Sequence, residues 1–288
     1  MTPHMPPELR IAEAAAHAGA EIALQHFQNL AQVTSQVKPG EQSFNRVSIA
    51  DVESEHAIVA VIRREFPNHA ILGEEAHSAA TDAEHLWVID PIDGTNNFLH
   101  GIPQFGISVA YYRAGQPVCG AILNPVRGDS FVAARGHGAF HNGQRASVSE
   151  HRRLDEVLIG LGFYYDRGAM MEATLDAMRE LFGHNIHCIR RLGAATLDLC
   201  MVACGQLGAY FEYELSPWDF AAGRLFVEEA GGRVTTCDGG PLPLAKTHIL
   251  ATNGLLHDIM LEIVQRNLPR QSSRESEPKL LSRTSALH

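Results

Sequence analysis

Residues 87–98 of the chain are Trp-Val-Ile-Asp-Pro-Ile-Asp-Gly-Thr-Asn-Asn-Phe, a stretch that begins apolar and then breaks sharply. The run from Leu86 to Ile89 has the length and composition of a buried central strand. The proline that follows lacks an N–H group and holds Asp90 extended, so we expect Asp90 at the carboxyl end of this strand. Gly94 permits a tight turn, and Thr95 and the asparagines are residue types that cap a following helix.

This turn brings two carboxylates, those of Asp90 and Asp93, to one point at a strand end. The Ile92 carbonyl and the free N–H groups of a helix start are expected beside them. Such oxygen ligands suit a hard cation such as Mg2+, which shares its remaining positions with water and substrate phosphate. Helix N–H groups suit the phosphate itself. An Asp-Pro turn with a capping aspartate is the structural alternative, and the Gly-Thr that follows favours the metal and phosphate site.

The composition is that of a globular protein without a broad affinity for polyanions. The 288 residues are 45% hydrophobic and 19% charged, and the formal net charge is -10. This length suffices for one large domain or for two joined halves. The negative charge argues against a wide electrostatic contact with nucleic acid or an anionic membrane, although Arg190-Arg191 is a local basic pair.

The amino terminus and the cysteines predict a cytoplasmic protein. Residues 1–7 lack the basic and apolar regions of a signal peptide, and no apolar run approaches the length of a membrane span. The five cysteines show no short-range framework, which fits reduced thiols. Cys200 and Cys204 are spaced for one helix face, where we expect core thiols rather than zinc ligands.

The first half is expected to contain two helices followed by a meander of strands. Helices are predicted from Glu8 to Leu30 and from Asp51 to the residue before Pro67, with an extended hairpin or loop between them. Asp51 suits an N-cap, a role that is compatible with a catalytic one. Strand-like runs separated by turn signals follow at 105–112, 117–123, 130–134 and 139–141.

A short strand that begins at Ala70 ends in the paired acids Glu74 and Glu75. Adjacent side chains on a strand point to opposite faces, so we expect only one of the two glutamates to face a site. The pair precedes Asp90 by a length that suits one loop returning to a neighbouring strand. A third carboxylate is therefore expected near Asp90 and Asp93.

The second half alternates helices and strands and contains a second acidic turn. Helices are predicted at 169–182, 194–203 and 218–230, and strands at 186–189 and 209–212. Residues 216–223 are Ser-Pro-Trp-Asp-Phe-Ala-Ala-Gly, which repeats the order of strand end, proline turn and acid at a helix start. Asp219 in this position is either a simple helix cap or a further ligand.

Both motifs resemble the signatures of the inositol monophosphatase family, and the resemblance extends from the first helix to about Val264. It implies a mixed α/β fold with α-β-α-β-α layers, in which a large, mostly antiparallel sheet meets a smaller mixed sheet. The site would lie between the sheets. We expect a single domain over residues 1–268, with halves of about 1–150 and 151–268, and a disordered tail at 269–288.

The resemblance also implies the roles of individual residues. The metal ligands would be four carboxylates and one backbone carbonyl, those of Glu74, Asp90, Asp93, Asp219 and Ile92. Backbone N–H groups of Gly94 and Thr95 would hold phosphate, and Thr95 with Asp51 would orient the attacking water. The remaining substrate contacts would come from Glu212, Ala195 and Lys38, although the loop after Lys38 is longer than is usual in the family.

The implied activity is Mg2+-dependent, lithium-sensitive hydrolysis of phosphomonoesters. Two or more Mg2+ ions, for which Mn2+ is a substitute, would offset the phosphate charge and lower the pKa of the attacking water. Attack would be in line, with no phosphoenzyme. Residues 95–98, Thr-Asn-Asn-Phe, are close to the Thr-Thr-Asn-Phe of inositol monophosphatases, which favours inositol 1-phosphate as the substrate.

Several alternatives stay open at this point. Histidinol phosphate and other sugar or nucleotide phosphates are hydrolysed on the same scaffold. Members of the family commonly form homodimers, which the resemblance implies here as well. Some bacterial relatives bind the transcription machinery independently of hydrolysis, so a non-catalytic partner of transcription factors or RNA is the alternative from another functional class.

Overall fold

The computed structural model describes residues 5–38, 43, 45–163 and 167–269. Two long helices open the chain, α1 (Pro7–Gln28) and α2 (Ile49–Glu65). Between them lies an antiparallel pair of strands, β1 (Ser35–Val37) and β2 (Arg46–Ser48), which corresponds to the hairpin rather than the loop of the two expected arrangements. Within the described residues, no helix combines the length and apolar character needed to cross a bilayer.

The larger sheet has seven strands among the described residues, in the order β3-β4-β5-β6-β7-β8-β9. Strand β3 runs parallel to β4, and the other neighbours are antiparallel. The turn after β5 has positive φ at Ala114 (47°) and Gly115 (74°), which matches a tight two-residue hairpin turn. The strands are β3 (Ala70–Gly73), β4 (His85–Asp93), β5 (Gly106–Arg113), β6 (Gln116–Asn124), β7 (Asp129–Ala134), β8 (Gly138–His141) and β9 (Gln144–Arg145).

The smaller sheet is mixed and has five strands among the described residues. Its strands are β10 (Leu158–Leu161), β11 (Cys188–Arg190), β12 (Ala209–Leu215), β13 (Arg233–Thr235) and β14 (Thr247–Thr252). Their order is β11-β10-β12-β14-β13, with β10 parallel to both neighbours and the remaining pairs antiparallel. The accompanying helices are α3 (Thr95–Leu99), α4 (Ala169–Gly183), α5 (Ala195–Ala203), α6 (Pro217–Glu229) and α7 (His257–Arg266).

Alternation along β4 shows how the layers stack. Trp87 and Ile89 pack with α1 and α2 in one core, whereas Leu86 and Val88 pack on the other face with α5 and α6. One face of the smaller sheet also packs into that second core. The other face of the smaller sheet packs against α4 and α7. The order of layers is therefore helix, sheet, helix, sheet, helix, which confirms the predicted fold class.

The structure corrects the expected helix caps. Ser48, not Asp51, is the N-cap of α2, and Asp51 lies three residues later, where its carboxylate accepts the Ser48 backbone N–H. Gly94, with φ of 91°, precedes α3 in place of Thr95, which is the first helical residue. Asp51 and Thr95 therefore both lie within the first turn of their helices.

The sequence interpretation left out several elements of the second half. Strands β10, β13 and β14 and helix α7 were not predicted. Strand β4 also continues to Asp93, past the expected end at Asp90. The predicted tail falls almost entirely outside the described residues, which end at 269.

Candidate active site

A break in the pairing of β4 with β5 places the two carboxylates of the first motif. Asp90 pairs with Ser108 and Asp93 with Gly106, so the register slips between them. Asp90 Oδ1 accepts the backbone N–H of Ile92 at 3.1 Å. Such a bulge turns side chains away from strict alternation, and both carboxylates therefore reach the same side of the strand end.

Asp219 reaches these carboxylates from the start of α6. Ser216 caps this helix, and its backbone N–H donates to Asp219 Oδ2 at 2.7 Å. Asp90, Asp93 and Asp219 each offer one oxygen, and these oxygens all lie within 4.8 Å of one another. Asp90 Oδ2 is buried and has no hydrogen-bond partner. A buried carboxylate oxygen without a donor is costly, so this oxygen calls for a ligand.

Asp93 is held in place from the second half of the chain. Its Oδ2 accepts the backbone N–H of Thr196 at 2.7 Å and the Thr196 hydroxyl at 2.6 Å. Because Thr196 lies in the first turn of α5, these bonds join that helix to the end of β4. The sequence interpretation did not identify Thr196, although it directly follows the predicted Ala195.

Glu74 and Glu75 follow the end of β3, and both form ion pairs with the Lys38 side chain. Lys38 Nζ lies 2.6 Å from Glu74 Oε1 and 2.9 Å from Glu75 Oε1. Of the two glutamates, Glu74 lines the cleft and Glu75 is not among its lining residues, as expected, although both lie in the turn beyond β3, where strand alternation does not apply. Glu74 and Lys38 line the same cleft as the three aspartates.

The electrostatic consequence is a set of acids that resist ionisation together. Burial, followed by the nearby negative charges, raises the pKa of Asp90 and Asp219 well above its usual range. Burial also raises the pKa of Asp93 to about 6, against the hydrogen bonds from Thr196 that lower it. Glu74 contributes to the repulsion at all three aspartates.

These features fit a divalent cation. The possible ligand atoms are all oxygens, and the carboxylates are close enough together for one divalent cation to offset the negative charge of more than one of them. Hard cations such as Mg2+ bind this kind of site through a few carboxylates. Glu74, Asp90, Ile92, Asp93 and Asp219 all line the cleft, so the structure brings the five predicted residues together.

Thr95 and Asp51 form a pair beside this acidic cluster. Thr95 Oγ1 lies 3.1 Å from Asp51 Oδ1 and 3.2 Å from the Ile92 carbonyl oxygen. Asp51 is fully buried, and its Oδ2 accepts the Ser48 N–H at 2.8 Å and the Ser48 hydroxyl at 2.5 Å. Burial raises the pKa of Asp51 to about 6 despite these bonds. The pair predicted from the resemblance is therefore in contact.

The cleft has a volume of about 350 Å³ and a second acidic wall. Glu212 lies in this wall and accepts the Tyr210 hydroxyl at 2.6 Å. Burial raises the pKa of Glu212 to about 7. A Cβ on Gly162 would lie 1.8 Å from Glu212 Oε2, so the glycine makes room for the carboxylate. Ala195 and Gly94 also line the cleft.

The model of the inositol monophosphatase family matches residues 5–268. The chain belongs to this family. Membership implies phosphatase chemistry, and the acidic cleft between the two sheets is the place where the family's two signatures meet.

Relatives within the inositol monophosphatase family carry two kinds of name. The Nus factor SuhB of Pseudomonas aeruginosa is 39% identical over 275 residues, covering 94% of this chain and 100% of the relative. An inositol-1-monophosphatase of Rhizobium meliloti is 39% identical over 224 residues, covering 77% and 84%. The solved structure of an IMPase/NADP phosphatase complexed with Mg2+ and phosphate is 30% identical, with a TM-score of 0.75, and the match covers 84% of this chain and 90% of that one.

Beyond the residues that the family resemblance supplied, the cleft contains Tyr210 and Asp198. Tyr210 lies two residues before Glu212 on β12, so period-two alternation places both on one face. Asp198 follows Ala195 by three residues on α5, a helical spacing that also shares a face. These spacings were visible in the sequence, but they become informative only once Ala195 and Glu212 are known to face a cleft.

Asp198→Asn is expected to stabilise the fold. The side chain is buried, Asp198 Oδ1 has no hydrogen-bond partner, and burial raises the pKa of this carboxyl well above its usual range. Replacing a buried carboxylate that has one unpartnered oxygen relieves its desolvation cost, which is on the order of 1–3 kcal/mol. Thermal unfolding at pH 8 should show a higher Tm for the variant. A lower Tm would mean that the carboxylate is satisfied in solution, and exposed Asp176→Asn serves as the control.

Proposed function

We propose that this member of the inositol monophosphatase family is a Mg2+-dependent phosphomonoesterase. The observation that carries the proposal is the convergence of Asp90, Asp93 and Asp219, with oxygens within 4.8 Å and one buried oxygen unpartnered. The similar IMPase/NADP phosphatase has been solved with Mg2+ and phosphate, which supports the same type of occupant here.

Glu74, Asp90, Asp93, Asp219 and the Ile92 carbonyl are the groups that would hold two or more Mg2+ ions. When bound, Mg2+ supplies positive charge that offsets the phosphate oxygens, lowers the pKa of water and stabilises the leaving alkoxide. Burial and mutual repulsion disfavour the ionised forms of the three aspartates when no cation is bound, so a cation that offsets their charge would be bound favourably.

The phosphate and the attacking water are assigned to the turn after β4. Backbone N–H groups of Gly94 and Thr95 bind phosphate oxygens. Thr95 Oγ1 donates to Asp51 Oδ1 at 3.1 Å, which leaves the lone pairs of the hydroxyl free to accept a hydrogen bond from water. Asp51, whose pKa is raised to about 6, stabilises this orientation and can take up a proton passed through Thr95.

The wall that contains Glu212 and Ala195 is assigned to the alcohol part of the substrate. Glu212 accepts hydrogen bonds, and such an acceptor suits a polyol. We therefore propose inositol 1-phosphate as the preferred substrate. Histidinol phosphate is the alternative on the same scaffold, because the same carboxylate would also bind an ammonium group. Other sugar or nucleotide phosphates complete the candidates, and Lys38 is assigned to the phosphate side of the cleft.

Hydrolysis in heavy-oxygen water tests the route of attack. In-line attack by water on phosphorus breaks the bond between phosphorus and the ester oxygen, so the label enters inorganic phosphate. Mass spectrometry of both products should find the label in phosphate and none in the alcohol. Label in the alcohol would show cleavage on the carbon side, and a phosphorylated protein trapped during turnover would also contradict the proposal.

A second candidate function rests on the 39% identity to the Nus factor SuhB of Pseudomonas aeruginosa. We propose it as an additional binding role in transcription, independent of the acidic cluster. Immobilised wild-type protein and Asp93→Asn should then retain purified RNA polymerase or Nus factors equally. No retention by either protein would exclude this role, and retention that is lost in the variant would tie it to the metal site.

A further inference from the structure

Glu55 is a fully buried acid in α2, one helical turn after Asp51. Its carboxylate contacts the turn after β3. Glu55 Oε2 accepts the backbone N–H of Glu75 at 2.9 Å, and Oε1 accepts the N–H of Ala76, also at 2.9 Å. With its Nδ1 protonated, the His77 ring donates to Glu55 Oε1 at 2.6 Å. Three consecutive residues of the turn are therefore bound by one side chain.

The backbone of this turn is shaped around the Glu55 carboxylate. A Cβ on Gly73 would lie 2.6 Å from Glu55 Oε2 and 2.7 Å from its carboxyl carbon, closer than real contacts allow. Gly73 therefore provides the space that the carboxylate fills. The turn closes on itself through the Gly73 N–H, which donates to the His77 carbonyl at 2.7 Å, and through a bridge between Leu72 and Ser78.

Glu74 lies between the two contacts that fix the turn. Gly73 precedes it and packs on the Glu55 carboxylate, and Glu75 follows it and donates to the same carboxylate. The direction in which Glu74 leaves the backbone is thus set by Glu55, and this direction leads into the acidic cleft. Hydrogen bonds from N–H groups to a buried carboxylate are strong, so the turn is held firmly.

We propose that Glu55 is a positioning residue for metal binding, which holds Glu74 at the distance and angle that the cation site requires. The inference rests on the proposed function, because it takes Glu74 as a ligand. Residues that orient metal ligands without touching the metal typically change metal affinity by about 10- to 100-fold when they are replaced. Glu55 would orient Glu74 in this way.

The direct test is Mg2+ binding by isothermal titration calorimetry to wild type, Glu55→Gln, Gly73→Ala and Glu53→Gln. Glu55→Gln keeps the shape but sets an amide against three donors, and Gly73→Ala displaces the carboxylate without removing its charge. Both should weaken Mg2+ binding by about 10- to 100-fold. Glu53 is the matched control, because it lies on the same helix, is exposed and pairs with His26.

Two further readouts separate positioning from a general loss of stability. The rise in Tm produced by a fixed Mg2+ concentration should be smaller in both variants than in wild type, since metal stabilises the fold in proportion to its affinity. The Mg2+ concentration for half-maximal activity should rise by the same factor as the dissociation constant, while kcat at saturating Mg2+ stays near that of wild type. If circular dichroism shows that Glu55→Gln is unfolded, the Mg2+ affinity of Gly73→Ala provides the test of the positioning role.

The outcomes distinguish this inference from the proposed function. Wild-type affinity for Mg2+ in both variants would overturn the positioning role alone. The absence of Mg2+ binding in wild type and in Glu53→Gln would overturn the proposed function and this inference with it. Weaker binding confined to Glu55→Gln and Gly73→Ala, with unchanged binding by Glu53→Gln, would support both.

Discussion

Asp93→Asn is expected to lower kcat by about 10³-fold or more while the protein remains folded, a change of at least about 4 kcal/mol in transition-state stabilisation. The amide oxygen can still accept the two hydrogen bonds that Thr196 donates to Oδ2. The amide NH2 group then faces Asp90 and Asp219, where an anionic oxygen is needed. The substitution therefore removes a metal charge with little change in shape.

Steady-state kinetics at several Mg2+ concentrations, with circular dichroism and Tm, measure this effect. The control is Asp258→Asn, because the Asp258 side chain is 90% exposed and pairs with Arg233 on the surface. It should keep wild-type turnover. Turnover of Asp93→Asn within about tenfold of wild type at every Mg2+ concentration would mean that Asp93 is not a ligand.

Thr95→Ala is expected to reduce kcat by about 10²- to 10³-fold, with a smaller effect on KM. The hydroxyl that contacts Asp51 and the Ile92 carbonyl is lost, and the attacking water loses the group that orients it. The half-buried side chain makes no large contribution to the core, so the fold should persist. Thr95→Ser keeps the hydroxyl and should recover most of the activity.

The double variant Thr95→Ala with Asp51→Asn tests whether the two residues act as a unit. Residues in one hydrogen-bonded pair show non-additive effects, so the double variant should be little slower than the slower single variant. Fully additive losses, or a Thr95→Ser enzyme as slow as Thr95→Ala, would contradict the assigned role of the pair. Asp51→Asn should also lower Tm modestly, because Asp51 completes the cap of α2 with Ser48.

The parts of the site that the sequence predicted are those encoded by local pattern. An apolar run followed by Asp-Pro and Gly-Thr identifies a strand, a turn and a helix start without reference to other elements. The same holds for residues 216–223 and α6. The sequence does not distinguish the two positions of a cap, because Ser48 and Asp51 are both suitable caps and a capping box uses both.

The remaining parts depend on contacts between distant segments. Thr196 binds Asp93 across 103 positions, and Glu55 binds the turn after β3 across about 20 positions. Neither contact has a local signal, although Glu55 shares a helix face with Asp51. Short strands such as β13 carry too few residues for a period-two pattern, and their pairing partners decide whether they form.

The most direct test of the central claim is release of phosphate from inositol 1-phosphate as Mg2+ is added, with and without lithium. The same assay should include histidinol phosphate, fructose 1,6-bisphosphate, NADP and adenosine 3',5'-bisphosphate. Release should require Mg2+, be inhibited by lithium and be fastest with inositol 1-phosphate. Release that persists in a chelator, or no release from any of the five compounds although Mg2+ binds, would contradict the central claim.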